Sequence, residues 1–210
     1  MQPDQKIVVV GRTITTASPD FLTVRYNADG SLDGSFGTNG ILTTDLGDAD
    51  DANAVVVQRD GKIVVGGVVG RYAITGKVGL VRYNSDGTLD STFGNGGKVV
   101  LATNFGPGTN DKVTGLVLQP DGKIVASVGY NSANSSAGAV DFKALRLNAN
   151  GSMDASFGSN GFVTVDTGSG DEARSLALQD DGKVVLYGAD DSGLVAARLQ
   201  SDGSVDTSFG

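Results

Sequence analysis

The chain has 210 residues, of which 16 are basic and 24 acidic, so its net charge is −8 at pH 7. It contains neither cysteine nor histidine, which excludes disulfides, thiol chemistry and imidazole groups as catalysts or metal ligands. The negative charge argues against a nucleic-acid partner bound through its phosphates, and no apolar run reaches the roughly 18 residues that a membrane span requires.

The chain starts inside a repeated unit. Its first residues lead directly, with no visible signal peptide, into Asp-Gln-Lys-Ile-Val at 4–8, a variant of a core phrase Asp-Gly-Lys-Ile/Val-Val that recurs three times. The lysines of the four copies are separated by 56, 61 and 60 residues and are Lys6, Lys62, Lys123 and Lys183. Self-similarity at a nearly fixed period indicates a repeat architecture.

The stretch from Ala52 to Val100 shows how one unit is built. Four short runs rich in β-branched residues alternate with Asp-Gly turns and glycine-rich loops, and none has helical periodicity. The predicted strands lie at 54–57, 62–67, 78–84 and 97–101. Four-stranded units that repeat with Asp and Gly punctuation are typical of β-propeller blades. We therefore predict an all-β fold, a β-propeller built from four-stranded antiparallel blades.

Strand counting over residues 1–210 predicts a single propeller or half-propeller domain of 14 strands, which is about 3.5 blades. The repeat units are predicted at 1–51, 52–111, 112–171 and 172–210, with no inner strand in the first and no outer strand in the last. By similarity to the kelch arrangement, the strands at 54–57, 114–118 and 175–178 are predicted to be innermost. Because unpaired edge strands recruit other chains, we expect a homo-oligomer, most simply a dimer, or contact with neighbouring repeats of a longer array.

The hairpin turns predict the conformation of particular glycines. Proline fixes φ at about −65° in Pro120-Asp121-Gly122, so the turn should be type I followed by a left-handed glycine. Gly61, Gly122 and Gly182 are therefore predicted to have positive φ. Gln5 stands where the other units have this glycine, and we expect it to be strained.

Several side chains recur at one position in every unit. The arginines are Arg25, Arg82, Arg146 and Arg198, and the aspartates are Asp33, Asp90, Asp154 and Asp206. We interpret them as structural ion pairs or turn caps, because a ligand site usually breaks the symmetry of a repeat. The phenylalanines of the repeated phrase Leu-Asp-x-x-Phe-Gly and its variants are predicted to be wedges between blades, and they are Phe36, Phe93, Phe157 and Phe209. Asp50, Asp111 and Asp171 are predicted to cap the hairpin that enters the inner strand.

The acidic segment at 45–51 does break the symmetry of the repeats. Asp45, Asp48 and Asp50 offer carboxylate oxygens, the hard ligands that Ca²⁺ binds in sets of about six to eight. Their spacing is not that of an EF-hand, so a solvated acidic turn is the alternative. Calcium is the one cofactor considered, and the sequence predicts no catalytic and no other cofactor-binding residue.

The repeats resemble the delta-60 repeat family of bacterial proteins, through the Asp-Gly-Lys-Ile-Val core and the tail Leu-Asp-x-x-Phe-Gly-x-x-Gly. The tail is reproduced closely at 36–40 and 157–161, whereas Gln5 departs from the core. The resemblance implies a propeller-like fold in large secreted or cell-surface proteins, and it carries no known catalytic residues.

These observations lead us to expect a non-catalytic structural or adhesive repeat module, extracellular or on the cell surface, that acts through self-association or protein contacts. The alternatives are a glycan-binding, lectin-like propeller and, more remotely, a glycoside hydrolase that uses two carboxylates. No carboxylate pair stands out among 23 aspartates and one glutamate, and histidine and cysteine are absent. The sequence therefore predicts that the protein is not an enzyme.

Overall fold

The computed structural model describes residues 2, 4–14, 18–73, 76–103, 109–132, 141–166, 172–190 and 193–209, and these residues form strands, turns and loops. None of them forms a helix long and apolar enough to cross a membrane. The strands are β1 (Ile7–Arg12), β2 (Phe21–Tyr26), β3 (Ile41–Thr44), β4 (Asp50–Val57), β5 (Ile63–Val69), β6 (Lys77–Tyr83), β7 (Lys98–Leu101), β8 (Thr109–Leu118), β9 (Ile124–Ser132), β10 (Phe142–Leu147), β11 (Phe162–Val165), β12 (Glu172–Leu178), β13 (Val184–Asp190) and β14 (Gly193–Leu199).

The strands form four antiparallel meanders, which we call sheet I (β1–β3), sheet II (β4–β7), sheet III (β8–β11) and sheet IV (β12–β14). The predicted all-β propeller of 14 strands is confirmed, as is their division into three, four, four and three. Successive sheets pack against one another through their first strands. β1 contacts β4, β4 contacts β8, and β8 contacts β12. The strands β4, β8 and β12 are therefore the inner strands, as predicted for 54–57, 114–118 and 175–178.

The turns after the inner strands have the predicted geometry. Gly61, Gly122 and Gly182 have φ of 83°, 84° and 84°, and each N–H donates to the carbonyl of the glutamine three residues earlier. Gln5 occupies the equivalent position in sheet I with a φ of 66°. A side chain in the left-handed region carries a steric penalty that glycine avoids, so the strain expected at Gln5 is confirmed.

Substituting Gly122 with alanine is expected to lower the free energy of unfolding by about 1 kcal/mol. A Cβ at this position would lie 3.5 Å from Cβ of Ala149, an ordinary contact, so the cost comes from the backbone conformation alone. Urea denaturation of the two proteins measures the difference. Gly34→Ala is the matched control, because that glycine has open space around it and no positive φ, and it should change stability by less than about 0.5 kcal/mol.

The core is divided among the three seams between sheets. One hydrophobic cluster joins sheets I and II, a second joins II and III, and a third joins III and IV. Each seam is wedged by a fully buried phenylalanine from the earlier sheet, and these are Phe36, Phe93 and Phe157. The predicted wedges are confirmed at these three seams, whereas the fourth phenylalanine, Phe209, is 38% exposed and fills no seam within the described residues.

The same contacts recur around each wedge. The Phe93 ring leaves no room for a Cβ on Gly151 of the next sheet, since a Cβ there would lie 3.0 Å from the ring. Beside it the Gly94 N–H donates to the main-chain oxygen of Asn150 at 2.8 Å. Gly87 and Gly203 meet Phe36 and Phe157 in the same way. Glycine is needed in these turns both for its positive φ and for the close approach of the ring.

A buried ion pair repeats with the wedges. In sheet III, Arg146 Nε donates to Asp154 Oδ2 at 2.6 Å, and the guanidinium lies 4.5 Å from the centre of the Phe157 ring. Its Nη1 donates to the main-chain oxygen of Ser201 in sheet IV, so the arginine also spans the seam. Lys123 adds a second cation to the carboxylate at 3.2 Å. The structural ion pair predicted for this position is confirmed in all four sheets.

The four paired carboxylates all have depressed pKa values. Hydrogen bonds from the Ser35 and Ser208 hydroxyls are the largest contributions that lower the pKa of Asp33 and Asp206 below the usual range. At Asp90, burial alone would raise the pKa, but hydrogen bonds from Lys62 and Thr92 outweigh it. At Asp154, too, burial alone would raise the pKa, but hydrogen bonds from Ser156 and Lys123 outweigh it.

This arrangement makes the fold sensitive to acid. Because the folded-state pKa lies below the ordinary value of 3.8, the four carboxylates stabilise the protein above that pH and lose this contribution as the pH falls toward the folded-state pKa. We expect the urea midpoint to fall steeply between about pH 4 and pH 2. A urea midpoint that stays constant over this pH range would show that the four carboxylates do not stabilise the fold. Asp154→Asn removes one of them, so the urea midpoint of this variant should depend less steeply on pH.

Candidate functional site

The inner strands are where the repeats differ most in charge. One position near the start of the strand carries Asp51 in sheet II, Lys112 in sheet III and Glu172 in sheet IV. These three residues pair with β5, β9 and β13 at the same register, opposite Val68, Gly129 and Ala189. A structural role would favour the same residue each time, as it does for the ion pairs. The variation therefore marks this end of the inner strands as a candidate site.

A β-bulge follows at the same place in each inner strand. The register shifts between Ala52 and Ala54 in β4, between Val113 and Gly115 in β8, and between Ala173 and Ser175 in β12. The extra residues are Asn53, Thr114 and Arg174. A bulge bends the strand and redirects the side chain of the extra residue, and such bulges are common beside binding sites.

The charged and bulged residues meet in one open cavity of about 440 Å³. Its lining, which we call the channel mouth, consists of Asn53, Lys112, Thr114, Glu172 and Arg174. Sheets II, III and IV all contribute to it.

Two cations flank the Glu172 carboxylate in the channel mouth. Lys112 Nζ and Arg174 Nη2 each lie 3.8 Å from a carboxylate oxygen of Glu172, one on either oxygen. The Glu172 side chain remains 31% exposed, so its carboxylate can reach a ligand. Thr114 is held more firmly, since its hydroxyl donates to the Ala173 carbonyl at 3.0 Å across the seam.

Asp51 is fixed by two arginines. Its Oδ2 accepts a hydrogen bond from Arg12 Nη1 at 2.8 Å and from Arg71 Nη1 at 3.0 Å. Arg12 belongs to β1, and Arg71 follows β5, so the carboxylate lies at the seam between sheets I and II. This pairing orients the Asp51 carboxylate more rigidly than the looser contacts orient Glu172.

The opposite end of the inner strands lacks this variety. A cavity of about 460 Å³ is lined there by the repeated residues Gln58, Gln119 and Gln179 together with the hairpin turns that follow them. Gln119 Oε1 accepts a hydrogen bond from Arg146 at 3.3 Å. The repeated glutamines are consistent with a structural role at this end.

The structure groups the predicted calcium ligands differently from the sequence. Asp45 and Asp50 come together with Asp20, and carboxylate oxygens of the three lie within 4.8 Å of one another. Asp48, the third residue predicted, is outside this group, and its Oδ1 accepts the Ala49 N–H at 2.8 Å. Burial raises the pKa of Asp50 to about 6 against the effect of the Leu46 N–H, and nearby Asp45 and Asp20 add to the increase.

The predicted hairpin caps are more varied than expected. Asp50 Oδ2 accepts the Leu46 N–H at 2.7 Å, which is a cap on the loop that enters β4. Asp111 accepts the hydroxyl of Thr103 instead. Asp171 lies outside the described residues.

The channel mouth was not predicted from the sequence because its residues differ from unit to unit, whereas the predictions rest on residues that repeat. Once the repeats are superimposed on their lysines, the column with Asp51, Lys112 and Glu172 changes charge from unit to unit. This change of charge is the sequence feature that could have indicated the site. The bulges could not be predicted in the same way, since Asn53, Thr114 and Arg174 share no residue type.

Among solved structures, the fold is similar to a GH43 endo-arabinanase from Bacillus licheniformis, with 14% identity, a TM-score of 0.55, and coverage of 98% of this chain and 74% of that one. An endo-arabinase from Bacteroides thetaiotaomicron is a weaker likeness, with 9% identity, a TM-score of 0.47, and coverage of 98% and 70%. An α-L-arabinofuranosidase from Clostridium thermocellum has 10% identity, a TM-score of 0.43, and coverage of 97% and 68%. A comparison with curated proteins finds no match.

The first of these likenesses corrects two expectations. The sequence led us to expect a non-catalytic structural or adhesive module and to conclude that the protein is not an enzyme. Neither is retained, because a glycoside hydrolase, the endo-arabinanase from Bacillus licheniformis, has a similar fold. The absence of histidine and cysteine does not exclude such chemistry, since glycoside hydrolysis requires only carboxyl groups.

A family model for repeated propeller units matches the chain four times, at residues 2–36, 58–93, 119–157 and 179–209. The matched segments together make up more than half of the sequence and contain the core phrase of each unit and its tail phrase as far as the phenylalanine. The chain therefore belongs to the β-propeller family described as a domain of unknown function (DUF5122).

Proposed function

We propose that the protein hydrolyses a glycosidic bond in a carbohydrate chain bound at the channel mouth. The observation that carries this proposal is the set of differing polar side chains that the inner strands and their bulges direct into one cavity. The ion pairs and the glutamines at the opposite end of the inner strands keep their residue types from sheet to sheet, whereas the charged position at the channel mouth changes each time.

The chemistry of the channel mouth suits a sugar. Sugar hydroxyls both donate and accept hydrogen bonds, and the mouth offers donors on Lys112 and Arg174, an acceptor on Glu172, and groups of both kinds on Asn53 and Thr114. The cavity is open rather than enclosed, which favours a segment of an extended chain over a small molecule. The endo-arabinanase that shares the fold supports arabinan as the first substrate to try.

Hydrolysis of a glycosidic bond requires a carboxylic acid that protonates the leaving oxygen and a carboxylate that activates water or attacks the sugar. Glu172 is the only glutamate of the chain, and it lines the cavity with a partly exposed carboxylate. Asp51 is the other carboxylate at the same inner-strand position, but it lies outside the lining of the cavity, at the seam between sheets I and II. We assign Glu172 to proton transfer at the leaving oxygen and propose Asp51, as the carboxylate at the equivalent position, for the second role.

The test is release of reducing ends from arabinan, xylan, pectin and chitin by the purified protein. Glu172→Gln should lower the rate on the cleaved polysaccharide at least ~100-fold, because a positioned acid or base contributes about 10²–10⁴. Its melting temperature should be unchanged, since Glu172 makes only loose contacts at 3.8 Å.

The matched control is Asp60→Asn, which alters an exposed carboxylate at the opposite end of the inner strands. It should retain the wild-type rate. The proposal is wrong if the wild-type protein releases no reducing ends from any of the four polysaccharides, or if Glu172→Gln is as active as the wild type.

We also propose that the chain acts outside the cell or at its surface and that its repeats are of the delta-60 type. The resemblance of the core and tail phrases supports both statements. An extracellular location is where a protein that cleaves polysaccharides meets its substrate.

A further inference from the structure

We propose that the seam between sheets I and II binds a Ca²⁺ ion through Asp20, Asp45 and Asp50. Carboxylate oxygens of the three residues lie within 4.8 Å of one another. Two oxygens that bind one Ca²⁺ ion can lie up to about 4.6–5.2 Å apart, which is twice the Ca–O distance. All three carboxylates can therefore reach a single Ca²⁺ ion, with water completing its ligand set.

The Asp50 carboxylate supplies an independent reason to expect a ligand. Asp50 is 0% exposed, and its Oδ2 accepts the Leu46 N–H at 2.7 Å. Its Oδ1 is buried without a hydrogen-bond partner among the described residues. A buried carboxylate oxygen left without a partner is costly, so a group that satisfies it is expected.

The next sheet shows how the same position is neutralised from within the chain. Asp111 in β8 is the equivalent of Asp50, and the carboxylate there attracts the ammonium group of Lys143, which is 7% exposed. In sheet II the residue equivalent to Lys143 is Gly79. Sheet II thus has a glycine where sheet III has a cation, and it has two further carboxylates beside its aspartate.

The surrounding charges leave the three carboxylates uncompensated. Within the described residues, no lysine or arginine nitrogen lies within 4.0 Å of a carboxylate oxygen of Asp20, Asp45 or Asp50. Lys98 is near, but it donates to the main-chain oxygen of Asp45 at 2.7 Å. A bound divalent cation would balance the excess negative charge.

The ligands come from both sides of the seam. Asp20 precedes β2 and Asp45 follows β3 in sheet I, whereas Asp50 begins β4 in sheet II. The Asp50 N–H already donates to the Pro19 carbonyl at 2.6 Å, so the two sheets meet at this point. A cation here would tie the sheets together and stabilise the fold.

The test is isothermal titration of the EDTA-treated protein with CaCl₂, followed by thermal unfolding with and without 1 mM CaCl₂ (about this concentration suits extracellular sites). We expect one bound ion and a higher melting temperature with calcium. Asp20→Asn should weaken binding at least ~10-fold, because it removes a charged ligand. Asp48→Asn is the control and should change the affinity less than about threefold, since Asp48 is outside the cluster.

Two results would overturn the site. One is that the titration with CaCl₂ gives no heat of binding and that calcium leaves the melting temperature unchanged. The other is an equal loss of affinity in Asp20→Asn and Asp48→Asn, which would mean that the ion is held only by the general negative charge of the loop.

A second inference rests on the outer faces of sheets I and IV. Phe209 repeats the wedge of Phe36, Phe93 and Phe157, yet it is 38% exposed where those are 0%. Gly30 repeats the turn glycine that receives the wedge, yet nothing lies within 4 Å of a Cβ built there. Sheet IV therefore exposes the wedge of a seam like those within the chain, and sheet I exposes the turn that would receive such a wedge.

The polar part of the seam is divided in the same way. Arg25, Arg82 and Arg146 each donate Nη1 to a turn carbonyl in the next sheet. Arg198 forms the ion pair and the ring contact of its own sheet, but no carbonyl of another described sheet accepts from its Nη1. The equivalent carbonyl in sheet I is that of Ala28.

We infer that sheet IV of one copy binds sheet I of a second copy, head to tail, through the contacts that join the sheets within one chain. Such an interface is heterologous, so it closes into a ring when the rotation permits and otherwise continues as a chain of copies. Two copies in a closed ring would satisfy both faces of each.

Multi-angle light scattering of the protein at 100 μM tests this inference (interfaces of this kind are commonly held at about micromolar affinity). We expect a mass of at least twice the 21.3 kDa of one chain. Phe209→Ala should shift the protein to the monomer, whereas Leu194→Ala, which removes a 93% exposed side chain from the same sheet, should not. A wild-type monomer, or an oligomer unaffected by Phe209→Ala, would contradict it.

Discussion

Replacing Arg146 with alanine is expected to lower the free energy of unfolding by about 3–5 kcal/mol, the usual cost of removing one partner of a buried ion pair. The guanidinium binds the buried carboxylate of Asp154, stacks on Phe157, and donates across the seam to the Ser201 carbonyl. Its loss leaves Asp154 with Lys123 as its one remaining cation among the described residues. Chemical denaturation at pH 7 measures the change.

Arg198→Ala is the matched control for this effect. Arg198 has the same ion pair and ring contact, but its side chain is 19% exposed and lacks the bond to a following sheet. We expect a loss of less than half that of Arg146→Ala. Equal losses would show that the bond across the seam and the burial of the pair contribute little.

Phe93→Ala should destabilise the protein to a similar extent, by about 3–5 kcal/mol, because it removes a fully buried ring and leaves a cavity. The cavity would open between sheets II and III, where Phe93 joins the hydrophobic cluster of that seam and rests against Gly151. The backbone of both turns is held in place by the adjacent Gly94 bond, so the site has little freedom to collapse.

The control for the wedge is Phe209→Ala, measured on the monomer by denaturation at low protein concentration. Phe209 is partly exposed, so the expected loss is about 1 kcal/mol. If Phe93→Ala cost no more than this, the seam would not depend on the wedge.

The fold could be predicted in detail because its signals are local. Turn glycines such as Gly122 require positive φ after Pro120-Asp121, and the short β-branched runs between turns leave room only for strands. Repetition then turns one local prediction into four that must agree. For this reason the strand number, the inner strands and the wedges all followed from the sequence.

The candidate sites depended on contacts between distant segments, and the sequence predicted them less well. Asp20 joins Asp45 and Asp50 because the loop before β2 lies against the start of β4, where Pro19 accepts the Asp50 N–H. Nothing in the local pattern around Asp20 indicates that approach. Asp48 is closer in sequence but its side chain is engaged by its own loop.

The channel mouth was missed for a different reason. Its residues alternate with buried ones along the inner strands, and in β4 this alternation continues through the bulge between Ala52 and Ala54. The hydrophobic pattern therefore gives no sign of the bulge, which appears only in the register with the neighbouring strand. The repeats themselves held the useful signal, since positions that keep their residue are structural and the position of Glu172 does not.

The central claim is that a carbohydrate binds where the repeats differ, at the channel mouth, and the most direct measurement is a crystal structure of Glu172→Gln soaked with arabino-oligosaccharide. The substitution should prevent cleavage and retain the ligand. We predict that the sugar lies within hydrogen-bond distance of Lys112 and Arg174, with the scissile bond beside residue 172. A sugar at the opposite end, among Gln58, Gln119 and Gln179, or no bound sugar at saturating concentration, would contradict the account.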